Sequence, residues 1–227
     1  MIGFGFSYLW LIFPAIILGL VAQFTVRSTY RKYSKYKTRG GTTGAGLART
    51  ILDTYGLNRI PVKRVAGSLT DHYDPRRQVL RLSEGVYSSH SVAAIGIAAH
   101  EAGHAIQHSK SYFPLAVRNA VYPVASFGSN LGPILVIGGL FFGAFQFLIS
   151  IGIILFAAAV FFSIITLPVE FNASNRAMSI LKMSGVLTQT ELKGARSVLS
   201  AASLTYLASA LASVLSLLRL ILLSRSR

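Results

Sequence analysis

The segment SVAAIGIAAHEAGHAIQH, residues 91–108, places three of the five histidines of the chain four residues apart, with a glutamate directly after the first. An α-helix makes one turn in about 3.6 residues, so side chains at this spacing share one face. Ser89 or Ser91 is a suitable N-cap residue, and small apolar residues fill the first turns. The segment therefore predicts a helix that ends near Ser109.

The motif HEAGH within this helix fits the pattern H-E-x-x-H. His100 and His104 project together and can each offer a ring nitrogen to one Zn²⁺, whereas Glu101 lies about 100° around the helix. From there Glu101 can act as a general base on a zinc-activated water. Unliganded imidazoles and a carboxylate would be costly in an apolar helix, so a metal site is favoured over simple packing. Gly103 would let another backbone or the metal approach closely.

The third zinc ligand is expected to be a carboxylate, because the chain contains no cysteine. His108 lies one turn too far along a straight helix, and we interpret it as a polar helix end, with a second-sphere or substrate-facing role as alternatives. Among the seven acidic residues, Glu170 follows an uncharged stretch long enough for two membrane crossings. Two crossings after His104 return the chain to the same side of the membrane. Glu170 is therefore the candidate, and an ordinary interfacial charge is the alternative.

The composition indicates an integral membrane protein. The chain is 52% hydrophobic and 13% charged, whereas a soluble domain carries about 25% charged residues. Residues 1–26, 119–169 and 197–218 are free of charge, and each stretch is long enough for a helix that crosses a bilayer. The sequence thus predicts an α-helical membrane protein with three or four transmembrane helices and a small α+β, zincin-like catalytic unit.

Five segments follow from this pattern. They are an N-terminal transmembrane anchor at residues 1–26, a cytoplasmic catalytic unit with the HEAGH helix at 27–118, a transmembrane hairpin at 119–169, a helix carrying the third ligand at 170–196, and a C-terminal transmembrane or membrane-surface helix at 197–227. No basic residue precedes the first apolar stretch, so it predicts a retained anchor rather than a cleaved signal peptide.

Shorter patterns predict further elements. Before the HEAGH helix they are a helix over residues 47–55 ended by Gly56 and strands over 61–65 and 79–82. After it they are a tight turn near Ser150–Gly152 within the hairpin, a new helix after Pro168 that ends at Gly185, and a capping box at 188–191. We interpret the strand over 79–82 as an edge strand that could pair with an extended substrate. His72, between the strands, is expected to cap a turn, with oxyanion stabilisation as the alternative.

The charge balance points to lipid rather than nucleic acid as the partner. The chain has 22 basic and 7 acidic residues and a formal net charge of +15. Six of the basic residues cluster directly after the first apolar stretch: Arg27, Arg31, Lys32, Lys35, Lys37 and Arg39. Cytoplasmic flanks of membrane helices carry such charges, so the pattern predicts a multi-pass protein of the cell membrane with this segment in the cytoplasm.

Three stretches together resemble a known family: LTDHYDPRRQVLRLSEGVY, SVAAIGIAAHEAGHAIQH and LPVEFNASNRA. They are similar to the bacterial YugP-like neutral zinc metallopeptidases of the membrane, and less closely to the membrane gluzincins of the HtpX and CAAX-protease type. The resemblance implies zinc at His100, His104 and Glu170, with Glu101 catalytic.

The resemblance also makes EFNAS similar to the glutamate-bearing helix of the gluzincins. That helix usually has an aspartate four residues after the ligand, where this chain has Ser174. Asn172, Ser174 and Arg176 are therefore candidates for groups that support the ligands. Arg176 and Tyr206 are also open as groups that polarise the scissile carbonyl, although ordinary packing is the simpler interpretation of Tyr206.

The function predicted from the sequence is a membrane-embedded zinc endopeptidase that acts on a peptide or protein, with a membrane-associated substrate as one option. Metal-activated water would attack the peptide bond, with Glu101 as general base and an active site facing the cytoplasm. A non-catalytic zinc-binding membrane scaffold is the alternative, but a structural zinc site has no need of Glu101. A transporter or lipid-binding bundle would carry ionisable residues within its spans, which the uncharged stretches lack. The sequence leaves the oligomeric state open.

Overall fold

A computed structural model of the chain describes residues 8–142 and 145–225, so the first seven residues of the predicted anchor and the last two of the C-terminal segment lie outside it. The described elements begin with a 3₁₀ turn at Leu9–Leu11. The others are α1 Phe13–Tyr33, α2 Gly44–Thr54, β1 Val62–Val65, β2 His72–Asp74, β3 Val79–Ser83, α3 Glu84–Tyr87, α4 Val92–Ser109, α5 Phe113–Phe141, α6 Phe147–Ser184 and α7 Gln189–Arg225.

Four helical stretches within the described residues are long and apolar enough to cross a membrane. They are Leu9–Tyr33, Phe113–Phe141, Phe147–Ser184 and Gln189–Arg225, whose most apolar windows have mean hydropathies of 2.2, 1.5, 2.8 and 2.0. A crossing needs about 20 residues of helix, so each stretch has length to spare. The described part of the C-terminal segment, for which a surface helix is the alternative, belongs to one continuous helix of spanning length, Gln189–Arg225.

The chain divides into two compact units. The first consists of Met1–Gln23, Phe113–Pro168 and Leu204–Arg227, so far as these residues are described, and the second of Phe24–Tyr112 and Val169–Ser203. In the first unit a small apolar cluster forms around Val136, Phe156 and Val160. The second unit has the larger core, built from residues of α2, α3, α4, the sheet, the end of α6 and the start of α7. The segment 170–196 thus groups largely with the residues around HEAGH.

The sheet of the second unit has three strands in the order β1-β3-β2, with β1 parallel and β2 antiparallel to β3. The two predicted strands are confirmed as β1 and β3, but the prediction that residues 79–82 form an edge strand is wrong, because β3 pairs on both sides. β2 was missed, since three residues are too few to show alternation. Asp74 ends it by accepting hydrogen bonds from the backbone N–H groups of Arg76 and Arg77.

Local capping signals place the helix ends of the second unit. Ser91 caps α4 by accepting a hydrogen bond from the Ala94 N–H, as one of the two predicted caps would. Gly56 follows α2 with a φ of +72°, a conformation that costs glycine little. The predicted helix stop at this glycine is therefore confirmed.

The junction between α6 and α7 also follows its sequence signals. α6 ends at Ser184, and Gly185 adopts a φ of +65°. The Glu191 carboxylate accepts a hydrogen bond from the Thr188 N–H at 2.7 Å, and the Thr188 hydroxyl accepts one from the Glu191 N–H at 3.3 Å. The predicted capping box is thus confirmed.

The tight turn predicted near Ser150–Gly152 is wrong, because both residues lie inside α6, which begins at Phe147. Gly152 has a packing function instead. A Cβ atom on Gly152 would lie 2.6 Å from the Gly132 carbonyl oxygen and 2.9 Å from the Val136 nitrogen. The glycine lets α5 and α6 pack at backbone contact, a use of small residues that is frequent between membrane helices.

The prediction that a new helix begins after Pro168 is wrong. Pro168 lies inside α6, which runs unbroken from Phe147 to Ser184. A proline removes one backbone hydrogen bond and crowds the carbonyl four residues earlier. Helices of membrane proteins tolerate this, because neighbouring groups can satisfy the freed carbonyl. Glu170 is therefore in the interior of a long helix rather than in a first turn.

We predict that Gly152→Val destabilises the α5–α6 hairpin, whereas Gly138→Val is tolerated. A Cβ at Gly138 meets nothing within 4 Å, and one at Gly152 meets backbone atoms of α5. Overpacking of this kind typically lowers the free energy of unfolding by about 1–3 kcal/mol. Thermal unfolding of the two variants in the same detergent measures the difference. Equal midpoints would contradict the packing of α5 on α6 described above.

Candidate metal centre

The HEAGH helix α4 crosses α6 at backbone contact, and the contact point is Gly103. A Cβ atom on Gly103 would lie 2.8 Å from the carbonyl oxygen of Ala173. The expectation that this glycine allows close approach is confirmed, and the approaching group is the backbone of α6. Because Ala173 is less than one turn from Glu170, the crossing brings the Glu170 carboxylate to the histidine face of α4.

The side chains of His100, His104 and Glu170 converge at this crossing. The Glu170 Oε2 atom lies 3.2 Å from His100 Nε2 and 3.5 Å from His104 Nε2. One ligand atom from each residue lies within 4.8 Å of the other two. Glu170 is 3% and His104 9% exposed, so the carboxylate faces the imidazoles away from bulk water.

The geometry and donor set of this cluster fit zinc. Ligand bonds of about 2.0–2.1 Å at tetrahedral angles separate the ligand atoms by roughly 3.4 Å, which is close to the two nitrogen–oxygen distances. Two imidazole nitrogens and one carboxylate oxygen form the His₂Glu set of catalytic zinc sites, in which a fourth position stays open. Among the described residues, this is the group of histidine and acidic side chains that could hold a metal ion.

The second ring nitrogen of each histidine contacts another side chain. His104 Nδ1 lies 2.9 Å from Gln107 Oε1, and His100 Nδ1 lies 3.1 Å from Ser174 Oγ. Such contacts orient metal-binding imidazoles. Ser174 stands where the resemblance led us to expect an aspartate, and its hydroxyl reaches the ring. Gln107 was missed, although it lies three residues after His104 on the same helix face.

The other two candidates for supporting groups, Asn172 and Arg176, contact each other rather than the imidazoles. Arg176 Nε donates a hydrogen bond of 2.7 Å to Asn172 Oδ1, and the same oxygen accepts a hydrogen bond of 3.0 Å from Gln107 Nε2. Arg176 is thus connected to His104 by hydrogen bonds through the side chains of Asn172 and Gln107. Tyr206 lies in the part of α7 that belongs to the first unit.

The Glu101 side chain is 8% exposed and lies on the face of α4 that points to β2. Burial raises the pKa of this carboxyl group to about 7. The charge of His100 and a hydrogen bond from the Tyr73 backbone N–H oppose this rise in pKa, whereas the charges of Glu170 and Asp71 add to it. A carboxyl group whose pKa lies near neutral pH is well suited to exchange protons there.

The remaining two histidines of interest lie outside the cluster. His108 Nδ1 is 2.9 Å from the Tyr73 hydroxyl, and both residues line a cavity of about 450 Å³ at the end of α4. The prediction that His108 is out of reach of the metal agrees with this position. His72 begins β2, and its ring contacts the Thr70 carbonyl oxygen at 2.8 Å, which fits the turn role favoured for it.

The other acidic residues have partners elsewhere. Asp53 pairs with Arg49, Asp74 with Arg81 and Glu84 with Arg64, Asp71 accepts two hydrogen bonds from Ser83, and Glu191 caps α7. Burial raises the pKa of Asp71, and its hydrogen bonds to Ser83 oppose the rise. The structure therefore brings only Glu170, of the acids in the described residues, to both histidines of the motif.

Comparison with known proteins shows the family of the chain. The family model described as "Putative neutral zinc metallopeptidase" matches residues 8–225. The chain is 50% identical over 216 residues to the "Putative membrane protease YugP" of Bacillus subtilis (strain 168), a match that covers 95% of this chain and 96% of that protein. No solved structure matches the chain.

Proposed function

Since the chain belongs to the neutral zinc metallopeptidase family, we propose that it is a membrane-embedded zinc endopeptidase. In this proposal His100, His104 and Glu170 hold the zinc ion and Glu101 is the general base. The observation that supports it most is the convergence of two imidazoles and one carboxylate at the α4–α6 crossing, beside a second buried carboxyl group.

When bound, zinc would supply a Lewis acid for the scissile carbonyl and would lower the pKa of a water molecule to roughly 7. The Glu170 carboxylate would offset part of the ion's charge, and the two neutral imidazoles would leave a net positive site. Glu101 accepts the proton of the attacking water and passes it to the leaving amine. One residue after His100, Glu101 would lie beside the metal ligands without being one of them.

The substrate would lie along β2. Among the residues that the structure describes, this strand pairs only with β3, so its other edge is available to an extended peptide. The backbone N–H of Tyr73, in the middle of β2, donates a hydrogen bond to the Glu101 carboxyl group. The proposed general base therefore lies next to β2. The peptide-pairing role that the sequence suggested for residues 79–82 is therefore reassigned to β2.

The protein would be a multi-pass protein of the cell membrane whose site faces the cytoplasm. Four helices of the described residues have the required length and apolarity. The basic residues from Arg27 to Arg39 follow the apolar part of α1, as the flank of a cytoplasmic segment would. The lipid bilayer and a peptide or protein substrate are then the partners, and nucleic acid is not expected.

Single cysteines at Lys110, Gln146 and Lys182 test this topology. The chain has no native cysteine, and all three positions are exposed in the structure, so labelling would report each one separately. In intact cells, a membrane-impermeant maleimide is expected to label the variant at Gln146 and to label the other two only after lysis. Labelling of Lys110 and Lys182 from opposite sides would contradict a shared site for α4 and α6.

Cleavage of an unfolded protein such as casein by the purified chain in detergent tests the proposed activity. Zinc-dependent appearance of new amino termini, abolished by a chelator, is expected. The non-catalytic scaffold would bind zinc equally well but would release no peptides. The buried position of Glu101 beside the ligand cluster favours the enzyme, since a structural zinc site has no use for a base there.

A further inference from the structure

Gln107 is a polar residue of α4 with no solvent exposure, and its side chain contacts α6. Its amide nitrogen donates to the Val169 carbonyl oxygen at 2.8 Å and to Asn172 Oδ1 at 3.0 Å. Its amide oxygen lies 2.9 Å from His104 Nδ1. A buried amide with all these contacts is strongly constrained, because each lost hydrogen bond would leave a buried polar group without a partner.

The orientation of this amide follows from its neighbours. The Val169 carbonyl can only accept a hydrogen bond, so it requires the amide nitrogen of Gln107. Asn172 also requires the amide nitrogen of Gln107. The Arg176 guanidinium can only donate, so the Asn172 atom that it contacts is the oxygen, and Gln107 contacts that same oxygen. Two independent neighbours thus place the Gln107 oxygen towards His104.

The orientation of the amide determines which nitrogen of His104 carries the proton. The Gln107 oxygen can only accept, so His104 Nδ1 must donate. In the neutral ring, Nε2 then keeps its lone pair, and Nε2 is the atom that faces Glu170 at 3.5 Å. His100 differs, because its Nδ1 contacts the Ser174 hydroxyl, which can donate or accept and selects neither tautomer.

We propose that Gln107 is a positioning residue that holds His104 in the Nδ1–H tautomer, with Nε2 aimed at the metal position. Arg176 and Gln107 both donate to the Asn172 oxygen, and His104 Nδ1 donates to the Gln107 oxygen, so that the ring is set before a metal ion binds. This inference rests on the proposed zinc site but not on peptidase activity. Outer partners of this kind typically change metal affinity by about 10–100-fold.

Two substitutions separate positioning from simple bridging of the helices. Gln107→Met keeps the size but removes every hydrogen bond, and we expect zinc affinity, measured by chelator competition, to fall by about 10–100-fold. Gln107→Glu keeps an acceptor for His104 but loses both donors to α6, and we expect its affinity to be closer to wild type than to Gln107→Met. Gln189→Met makes the same glutamine-to-methionine substitution at an exposed position and is the control. If Gln107→Glu binds zinc no better than Gln107→Met, the amide acts as a bridge and the proposal is overturned.

The tautomer can also be read directly in the wild-type protein, which guards against variants that fail to fold. Nitrogen-15 spectra of histidine-labelled, zinc-depleted protein are expected to show His104 with its proton on Nδ1. A neutral ring with its proton on Nε2 would refute the proposal whatever the variants do. A chain that shows the expected tautomer and zinc affinities but cleaves no peptide would refute the peptidase function alone, so the two failures are distinguishable.

Discussion

Glu101→Gln is expected to retain bound zinc and to lose peptide cleavage by roughly 10²–10⁴-fold, because an amide cannot accept the proton of the attacking water. Glutamine has almost the same shape as glutamate, and Glu101 is not one of the three residues whose ligand atoms converge. Zinc content and the initial rate of casein cleavage are measured on the same purified sample.

Glu84→Gln is the matched control for this variant. Its side chain is 65% exposed and forms an ion pair with Arg64, an interaction typically worth about 0–1 kcal/mol. We expect wild-type zinc content and cleavage for it. Wild-type turnover by Glu101→Gln would refute the role of Glu101 as general base, even if zinc remained essential.

Glu170→Ala is expected to weaken zinc binding sharply and to abolish cleavage. Its carboxylate is the group that lies within 3.5 Å of both motif histidines. Two imidazoles alone leave a catalytic zinc site one protein ligand short. The loss of affinity should therefore exceed the roughly 10–100-fold change typical of outer partners, and chelator competition measures it alongside His104→Ala.

Two acidic residues serve as controls for Glu170→Ala. Glu84→Ala removes only the exposed ion pair described above. Glu191→Ala removes the capping carboxylate of α7, which is expected to lower stability by about 1 kcal/mol without changing zinc affinity. If Glu170→Ala bound zinc normally and one of these controls did not, the third ligand would have been wrongly assigned.

Local signals in the sequence predict much of the second unit. Ser91, Gly56, Gly185 and the capping box lie where helices begin or end, because capping depends on residues that are neighbours in the chain. The strand β2 escaped prediction, since only Tyr73 of its three residues is buried. Its position at the sheet edge depends on pairing with β3, which no local pattern encodes.

The apolar hairpin was harder to predict, because a stretch without polar contrast gives few cues to where a helix stops. Gly152 was interpreted as part of a turn and Pro168 as the start of a new helix, yet both lie within α6. Gly152 is needed for contact with the α5 backbone, a fact visible only when the two helices are placed together. In such stretches, glycine and proline indicate packing or tolerated breaks as readily as turns.

The candidate site shows the same division between local and distant information. The motif spacing placed His100, Glu101 and His104 on one helix, and counting membrane crossings led to Glu170. Gln107 could not be found in this way, because its partner Val169 is 62 residues distant in the chain. Its importance follows from hydrogen bonds between helices rather than from spacing within one helix.

Zinc titration of the chelator-treated protein, with casein cleavage as the signal, tests the central claim most directly. The claim is that His100, His104 and Glu170 hold one catalytic ion. Cleavage is expected to vanish on metal removal and to return in proportion to added zinc, reaching its plateau at about one ion per chain. Cleavage that persists after complete removal of metal would contradict the claim, as would a zinc-loaded wild-type chain that cleaves nothing.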